Sequence, residues 1–203
     1  INPSPQTPGG EHDGYAPNQP VRGFGQLHVS GTGWGKYGHF LLSPQVGLKV
    51  GETEHDSPAT GEITQANYYK ATLTRYGITA EVTPAAHSAI YRFTFPAASD
   101  ANIAMDVTHS LTRDIAPFVK GEVKSNSVSI DPKRKDSFSG MIEYKGGFGS
   151  GYYKLYFAAR LSKKPLACGV WKNGAVSRNV HKAVLTNAED RIGSYFTYKT
   201  KKG

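Results

Sequence analysis

The sequence has few sulfur-containing residues and no long apolar stretch. Cysteine occurs once, as Cys168, and methionine twice in 203 residues. A single cysteine excludes an intramolecular disulfide, and the apolar, strand-like run 166–171 around it predicts a buried, unreactive thiol. No run of about 18 apolar residues is present, so the sequence predicts no transmembrane helix. No secretory signal peptide is recognisable in the chain.

Basic residues outnumber acidic ones, but they are not concentrated in one place. Lys and Arg total 24 against 16 Asp and Glu, which gives a formal net charge of +8 at pH 7. The densest basic groups are short, at 133–135, 163–164 and 199–202. No nucleic-acid-binding motif accompanies them. We therefore expect a solvated basic surface and no nucleic acid partner.

The most unusual stretch is 22–38, which holds six glycines in seventeen residues. Each glycine costs a helix about 1 kcal/mol relative to alanine, so the stretch predicts irregular backbone that approaches other groups closely. Trp34 lies between two glycines, and His28 and Thr32 are close to it in sequence. A bare aromatic face beside hydrogen-bonding groups suits a carbohydrate. The alternative is a glycine-rich turn whose Trp34 and Phe24 close the end of a sheet.

Short runs of alternating apolar and polar residues fill the rest of the chain and predict strands. The runs 68–73 and 78–82 form a clear hairpin pattern, and 119–124 with 127–130 predict a second hairpin around Ser125 and Asn126. The strand 39–44 is expected to stop at proline, and 109–118 has room for one helical turn. Many such strands without a helical period indicate an all-β, antiparallel β-sandwich of one domain.

No convincing catalytic arrangement accompanies these strands. The candidate carboxylates, which we expect to be solvated on strand surfaces, are Glu62, Glu81, Asp106, Glu122 and Glu143. His28 and His39 are more typical of structural histidines than of metal ligands, and three adjacent residues, 11–13, cannot all face one metal ion. The stretch 31–35 has no βαβ context for a dinucleotide, and no nucleophile elbow occurs. The residues thus predict binding, with no catalytic or metal-ligating residue.

Several segments resemble the amino-terminal domain of glycoside hydrolase family 92. The central ones are 9–15, 22–33 and 42–44, and further similar strands are 66–73, 78–83, 91–96 and 153–160. The resemblance spans nearly the whole chain. It implies a β-sandwich of the galactose-mutarotase-like supersandwich type that packs on an (α/α)6 barrel.

The resemblance also implies a function. The family consists of calcium-dependent, inverting exo-α-mannosidases that mostly cut α-1,2-linked mannose. Its general acid, base carboxylates and calcium ligands come from the barrel. Residues 1–203 would then be the non-catalytic half, inactive alone and without its own calcium. Its partners would be a mannan-type α-mannoside and the catalytic domain of the same polypeptide.

The same resemblance assigns the sugar-binding wall to the glycine-rich stretch. Trp34 is expected to stack on the sugar, with His28, Thr32 and Gly33 beside it. Three further residues are expected to approach from the preceding loop, namely His12, Asp13 and Tyr15.

The family's usual segments before Ile1 and after Gly203 are not seen, so we expect a fragment of a longer enzyme. The alternative is a stand-alone, lectin-like β-sandwich that binds sugar without a catalytic partner. A secreted, periplasmic or cell-surface location is expected, because polymeric mannans lie outside cells.

Overall fold

The computed structural model describes residues 4–10, 14–28, 36–114, 121–149 and 151–201. Strands and one single-turn helix make up most of these ranges. They are β1 Ser4–Gln6, β2 Gly23–His28, β3 Tyr37–Val46, β4 Ala59–Gln65, β5 Tyr68–Leu73, β6 Ile78–Pro84, β7 Ala89–Thr94, β8 Ala98–Asp106, α1 Leu111–Asp114, β9 Glu122–Ile130, β10 Ser137–Lys145, β11 Tyr153–Arg160, β12 Ala167–Lys172, β13 Ala175–Arg178, β14 Lys182–Val184 and β15 Ile192–Thr200.

The strands form three antiparallel sheets arranged in two layers. One layer is a seven-stranded sheet in the order β1-β2-β3-β8-β15-β12-β13. The other layer consists of two four-stranded sheets, β11-β10-β9-β14 and β4-β5-β6-β7. Phe24 and Leu42 are directly paired on the large sheet, so their side chains share one face. Phe24 packs on the second small sheet and Leu42 on the first. The predicted antiparallel β-sandwich is therefore confirmed.

Apolar side chains fill the space between the layers. Phe196 of β15 and Phe138 of β10 are both buried, with ring centroids 4.7 Å apart. Phe24 is fully buried and contacts the rings of Tyr69 and Phe93 across the interface. Burial of such rings contributes most of the favourable free energy of packing.

Phe24 is thus a core residue. This agrees with the alternative interpretation of the glycine-rich stretch, in which Phe24 closes the end of a sheet. Cys168 is buried, as predicted, and burial raises the pKa of its thiol, which disfavours the reactive thiolate.

Two sequence predictions about strand ends were wrong. Ser125 and Asn126 do not form a turn, because β9 runs through them and pairs with β10 along its length. The buried Asn126 donates a side-chain hydrogen bond to the carbonyl of Val107, which gives its amide nitrogen a partner inside the sheet. Pro44 does not end β3 either. Beside it only β8 still pairs with β3, so the missing amide hydrogen is tolerated at that edge.

The helical turn predicted within 109–118 is present as α1. Ser110 precedes it and accepts a hydrogen bond from the amide of Arg113 at 3.3 Å, as a helix N-cap does. In the part of the chain that the structure describes, no helix has the length and apolar character needed to cross a membrane.

Candidate functional site

The glycine-rich stretch joins two strands whose facing ends have an unusual backbone. β2 ends at His28 and β3 begins at Tyr37, and they pair with each other there. Leu27, Tyr37 and Phe40 have φ angles of 59°, 68° and 61°, in the left-handed region that residues other than glycine rarely adopt. Each such residue costs about 1–2 kcal/mol, and such strain concentrates at binding sites. The backbone at the base of the loop is therefore held by its surroundings.

Of the predicted sugar-binding residues, the structure describes His28 and Tyr15. Trp34, Thr32, Gly33, His12 and Asp13 lie outside the described residues, so their positions stay predictions. Gly14, which precedes Tyr15, lies against His28. A Cβ atom at Gly14 would be 2.7 Å from Cε1 of His28. The two described candidates therefore belong to one corner of the sandwich.

His28 contacts the side chain of Gln6 on β1. Its Nε2 lies 3.0 Å from Nε2 of Gln6, which also donates to the carbonyl of Gly38 at 3.0 Å. Glycines make room for this amide. A Cβ atom at Gly25 would lie 1.9 Å from Nε2 of Gln6, and one at Gly38 would lie 2.7 Å from it. The close approach predicted from the glycines is thus an approach to a buried glutamine.

Tyr15 is fixed by a carboxylate on the four-stranded sheet β4-β5-β6-β7. Its hydroxyl donates to Glu62 at 3.0 Å, and the hydroxyl of Tyr69 donates to the other oxygen of the same carboxylate at 2.6 Å. Burial raises the pKa of the Tyr15 phenol, and the bond to Glu62 raises it further. Glu62 therefore ties the segment before β2 to the β4–β5 hairpin, a role that its alternating position in sequence did not indicate.

A second glycine-rich segment, 146–149, lies beside the start of β3. Lys36 donates to the carbonyl of Gly147 at 2.9 Å, and the amide of Phe148 donates to the hydroxyl of Tyr37 at 3.2 Å. The ring of Phe148 stays 58% exposed, with the Lys36 ammonium 4.7 Å from its centroid. No role was predicted for this segment from the sequence. The available signal in the sequence was Phe148, a large aromatic residue among glycines, which could have indicated an exposed ring.

Beneath this corner lies a set of charged and polar side chains that we call the polar cluster: Gln6, Arg22, Glu52, Asp56, Asp106, His109, Asp114 and Arg191. His109 and Asp114 are 1% and 0% exposed, and Nδ1 of His109 lies 2.7 Å from the carboxylate of Asp114. Arg191 pairs with Asp114, and also with Asp106 and Glu52 at 3.0 Å each.

The polar cluster keeps a buried carboxylate ionised. Burial by itself would raise the pKa of Asp114, but the charges of His109 and Arg191 and the hydrogen bonds from both lower that pKa to about 2. The paired charges offset the cost of desolvation that each would have alone. Asp114 is therefore a fixed acceptor for its neighbours across the whole neutral range of pH.

His39 provides a contrasting, neutral histidine in the same neighbourhood. Its Nε2 lies 2.8 Å from the hydroxyl of Tyr153, and its ring packs edge-on against Tyr144 with centroids 4.8 Å apart. Burial, and after it the charge of His109, lower the pKa of His39 to about 3. This confirms the structural role expected of His39.

The candidate carboxylates do not form a catalytic pair in the described residues. Hydrogen bonds from Arg92 and Tyr68 lower the pKa of Glu81 to about 2, and a bond from Lys124 lowers the pKa of Glu143. Asp106 was expected to be solvated but is instead an ion-pair partner of Arg191. Within the same ranges, no three His, Cys, Asp or Glu side chains are placed to hold a metal ion.

Comparison with known proteins identifies the family to which this fold belongs. The model of the glycosyl hydrolase family 92 N-terminal domain matches residues 1–203. Comparison with curated protein sequences gives no match. Among solved structures, a family GH92 α-mannosidase from Bacteroides thetaiotaomicron is 25% identical with a TM-score of 0.82, and the alignment covers 100% of this chain and 28% of that one.

Two further solved structures of family GH92 mannosidases are similar to this chain. The structure of the same α-mannosidase in complex with mannoimidazole is 26% identical over 95% of this chain and 26% of that one, with a TM-score of 0.77. A family GH92 inverting mannosidase from B. thetaiotaomicron VPI-5482 shares the fold at 19% identity and a TM-score of 0.77, over 98% of this chain and 25% of that one.

The sandwich is thus of a kind found in glycoside hydrolases. More specifically, the chain belongs to the N-terminal domain family of glycosyl hydrolase family 92. It spans about a quarter of the length of the mannosidases that it matches.

Proposed function

We propose that this chain is the non-catalytic β-sandwich of an inverting, calcium-dependent exo-α-mannosidase that cuts α-1,2-linked mannose. In this proposal the catalytic carboxylates and the calcium ligands belong to a separate (α/α)6 domain of the same polypeptide. The enzyme works outside the cytoplasm on mannan-type glycans. The family membership and the similarity to a mannosidase solved with mannoimidazole support the choice of sugar.

The observation that carries the binding role is the corner where β1, β2 and β3 meet. Three glycines allow close contacts there. Gly14 lies against His28, and Gly25 and Gly38 lie against Gln6. Leu27 and Tyr37 hold strained φ angles on either side of the glycine-rich loop. Fixed flanking residues lower the conformational entropy that a binding loop loses when it takes up a ligand.

In this arrangement Trp34 stacks on the sugar, with Thr32, Gly33 and His28 along the same wall. His12, Asp13 and Tyr15 complete it from the preceding loop. Hydrogen bonds to Gln6 and Glu62 fix His28 and Tyr15, the two members of the wall that the structure describes.

Turnover of α-1,2-mannobiose by the native protein tests the proposal. We expect Trp34→Ala to lower kcat/KM about tenfold or more, because truncation of a central aromatic contact typically costs more than 1.4 kcal/mol. Tyr156→Ala is the matched control, since this tyrosine is 71% exposed on β11 and lies on a different sheet.

Two results would contradict the proposal. One is unchanged turnover in Trp34→Ala. The other is hydrolysis of mannobiose by residues 1–203 alone, because the catalytic groups are assigned to the other domain.

A further inference from the structure

Gln6 is a fully buried glutamine whose amide makes three contacts, and their donors and acceptors can be assigned. Its Nε2 lies 3.0 Å from the carbonyl oxygen of Gly38 and 3.0 Å from Nε2 of His28. Its Oε1 contacts Nε2 of His109. Reversing the amide would set two carbonyl oxygens 3.0 Å apart, so the carbonyl of Gly38 fixes its orientation.

The fixed amide determines what each histidine nitrogen must do. Both hydrogens of the amide group have acceptors, one at Gly38 and the other at His28. Nε2 of His28 therefore accepts, and a proton on that nitrogen would point at an amide hydrogen. Nε2 of His109 faces a carbonyl oxygen, which can only accept, so it donates.

The far end of this series is anchored by charge. Nδ1 of His109 lies 2.7 Å from a carboxylate oxygen of Asp114, so the ring satisfies both neighbours when it carries both protons. Arg191 pairs with the other oxygen of Asp114, and the amide of Ser110 donates to the first at 3.3 Å. Asp114 is therefore held from three directions.

We propose that Gln6 is a positioning residue for His28. Held by Gly38 and by His109, which Asp114 anchors in turn, it donates to Nε2 of His28, keeps the proton of that ring on Nδ1, and fixes the ring at the base of the glycine-rich loop. Its effect on sugar binding rests on the proposed function above. Its effect on the proton of His28 does not.

The position of the Gln6 amide also explains why residues 25 and 38 of the glycine-rich stretch are glycines. Side chains at Gly25 and Gly38 would occupy the space of the Gln6 amide, at 1.9 and 2.7 Å from its nitrogen. Glutamine reaches His28 only because both positions lack a Cβ atom. Gly25 of β2 and Gly38 of β3 thus make room for the side chain that contacts His28.

The proton of His28 can be observed directly by NMR of the protein labelled with ¹⁵N at histidine. His28→Asn identifies the signals of this ring among the seven histidines. We expect Nδ1 to show the shift of a protonated nitrogen and Nε2 that of an unprotonated one at neutral pH. A proton on Nε2, or rapid exchange between the two forms, would overturn the proposal without any variant of Gln6.

Two variants test the cause. In Gln6→Glu the ionised carboxylate can only accept, so we expect the proton of His28 to appear on Nε2. In Gln6→Met no donor remains, and we expect both tautomers. The matched control is Gln45→Met, since Gln45 is equally buried but donates to Ser43, away from His28. An unchanged His28 spectrum in both Gln6 variants would overturn the proposal.

Turnover of α-1,2-mannobiose completes the test. We expect Gln6→Met to raise KM about five- to tenfold relative to Gln45→Met, because one positioned contact is typically worth about 1–1.5 kcal/mol. A spectrum that responds as expected, together with unchanged turnover in Trp34→Ala, supports the role of Gln6 and rejects the proposed function. The reverse pair of results rejects only the role of Gln6.

Discussion

The space between the sheets and the polar cluster are two buried regions held by different physical forces. Between the sheets, rings such as Phe138 and Phe196 contribute through the area removed from water, which depends little on pH or on exact angles. In the polar cluster, Asp114 and Arg191 contribute only because every charge has a partner at bonding distance. The first region holds the layers together, and the second fixes individual side chains next to the candidate site.

The difference teaches where precision in this fold comes from. Apolar packing tolerates changes of similar volume, whereas a buried hydrogen-bonded charge tolerates almost none. Buried hydrogen-bonded charges of the polar cluster adjoin the corner where β1, β2 and β3 meet, so they fix the positions of the side chains there. Three changes would break or sharpen this comparison.

The largest expected effect comes from removing the shared cation. Arg191→Met leaves the fully buried Asp114 without one of its partners, and we expect a loss of about 3–5 kcal/mol in the free energy of unfolding at pH 7. The loss should shrink as pH falls below about 4, because the variant's Asp114 then takes up a proton while that of the native protein, with a pKa of about 2, does not. Urea unfolding at several pH values measures both.

Phe196→Ala is the matched comparison from the apolar region. Its ring is fully buried, so we expect a loss of about 3–5 kcal/mol that stays the same from pH 7 to pH 4. A parallel pH dependence of the two variants would remove the distinction between the regions.

A smaller effect is expected from a single methyl group placed against Gln6. Gly25→Ala sets a Cβ atom 1.9 Å from Nε2 of this glutamine, so the amide must move, and we expect a loss of about 1–3 kcal/mol. Gly149→Ala is the control, because nothing lies within 4 Å of its Cβ position. Equal stability of the two variants in urea unfolding would contradict the tight fit.

The last expected effect is a dependence of the free energy of unfolding on pH. The pKa of His39 falls from its ordinary 6.5 to about 3 on folding, so below pH 6.5 the unfolded chain binds a proton there that the folded chain does not. Stability should therefore decrease as pH falls from 6.5 toward 3, by about 1.4 kcal/mol per pH unit for this proton.

His39→Gln should remove that part of the slope, whereas His87→Gln, at an exposed position, should leave it unchanged. Unfolding free energies between pH 7 and pH 4 provide the readout. An identical slope in both variants would show that His39 is not the group responsible.

Much of the sandwich could be predicted from the sequence, because alternation of residues such as Tyr91 and Phe93 reports directly which face of a strand is buried. The turn predicted at Ser125 and Asn126 was wrong because that prediction relied on the same alternation of apolar and polar residues, which two polar residues in succession interrupt. Polar residues at a strand centre look like a turn unless their partner, here the carbonyl of Val107, is known.

The candidate site was predictable only in part. Glycine spacing predicted a close backbone approach, and it exists, but the group approached is Gln6, which no local pattern singles out. Gln6 and His109 are 103 positions apart, and Asp114 and Arg191 are 77 apart. Pairings over such separations follow from the strand order, which the sequence pattern does not contain. The placement of Trp34 stays a prediction.

The strand order also has a consequence for biosynthesis. β15 lies between β8 and β12, both of which precede it in the chain. On the ribosome, the large sheet therefore exists as two unconnected pieces, β1-β2-β3-β8 and β12-β13, until Thr200 has emerged. Until then the facing edges of β8 and β12 expose unpaired amide and carbonyl groups, which are templates for association between chains. Nascent chains of this protein are thus most vulnerable to aggregation just before β15 arrives.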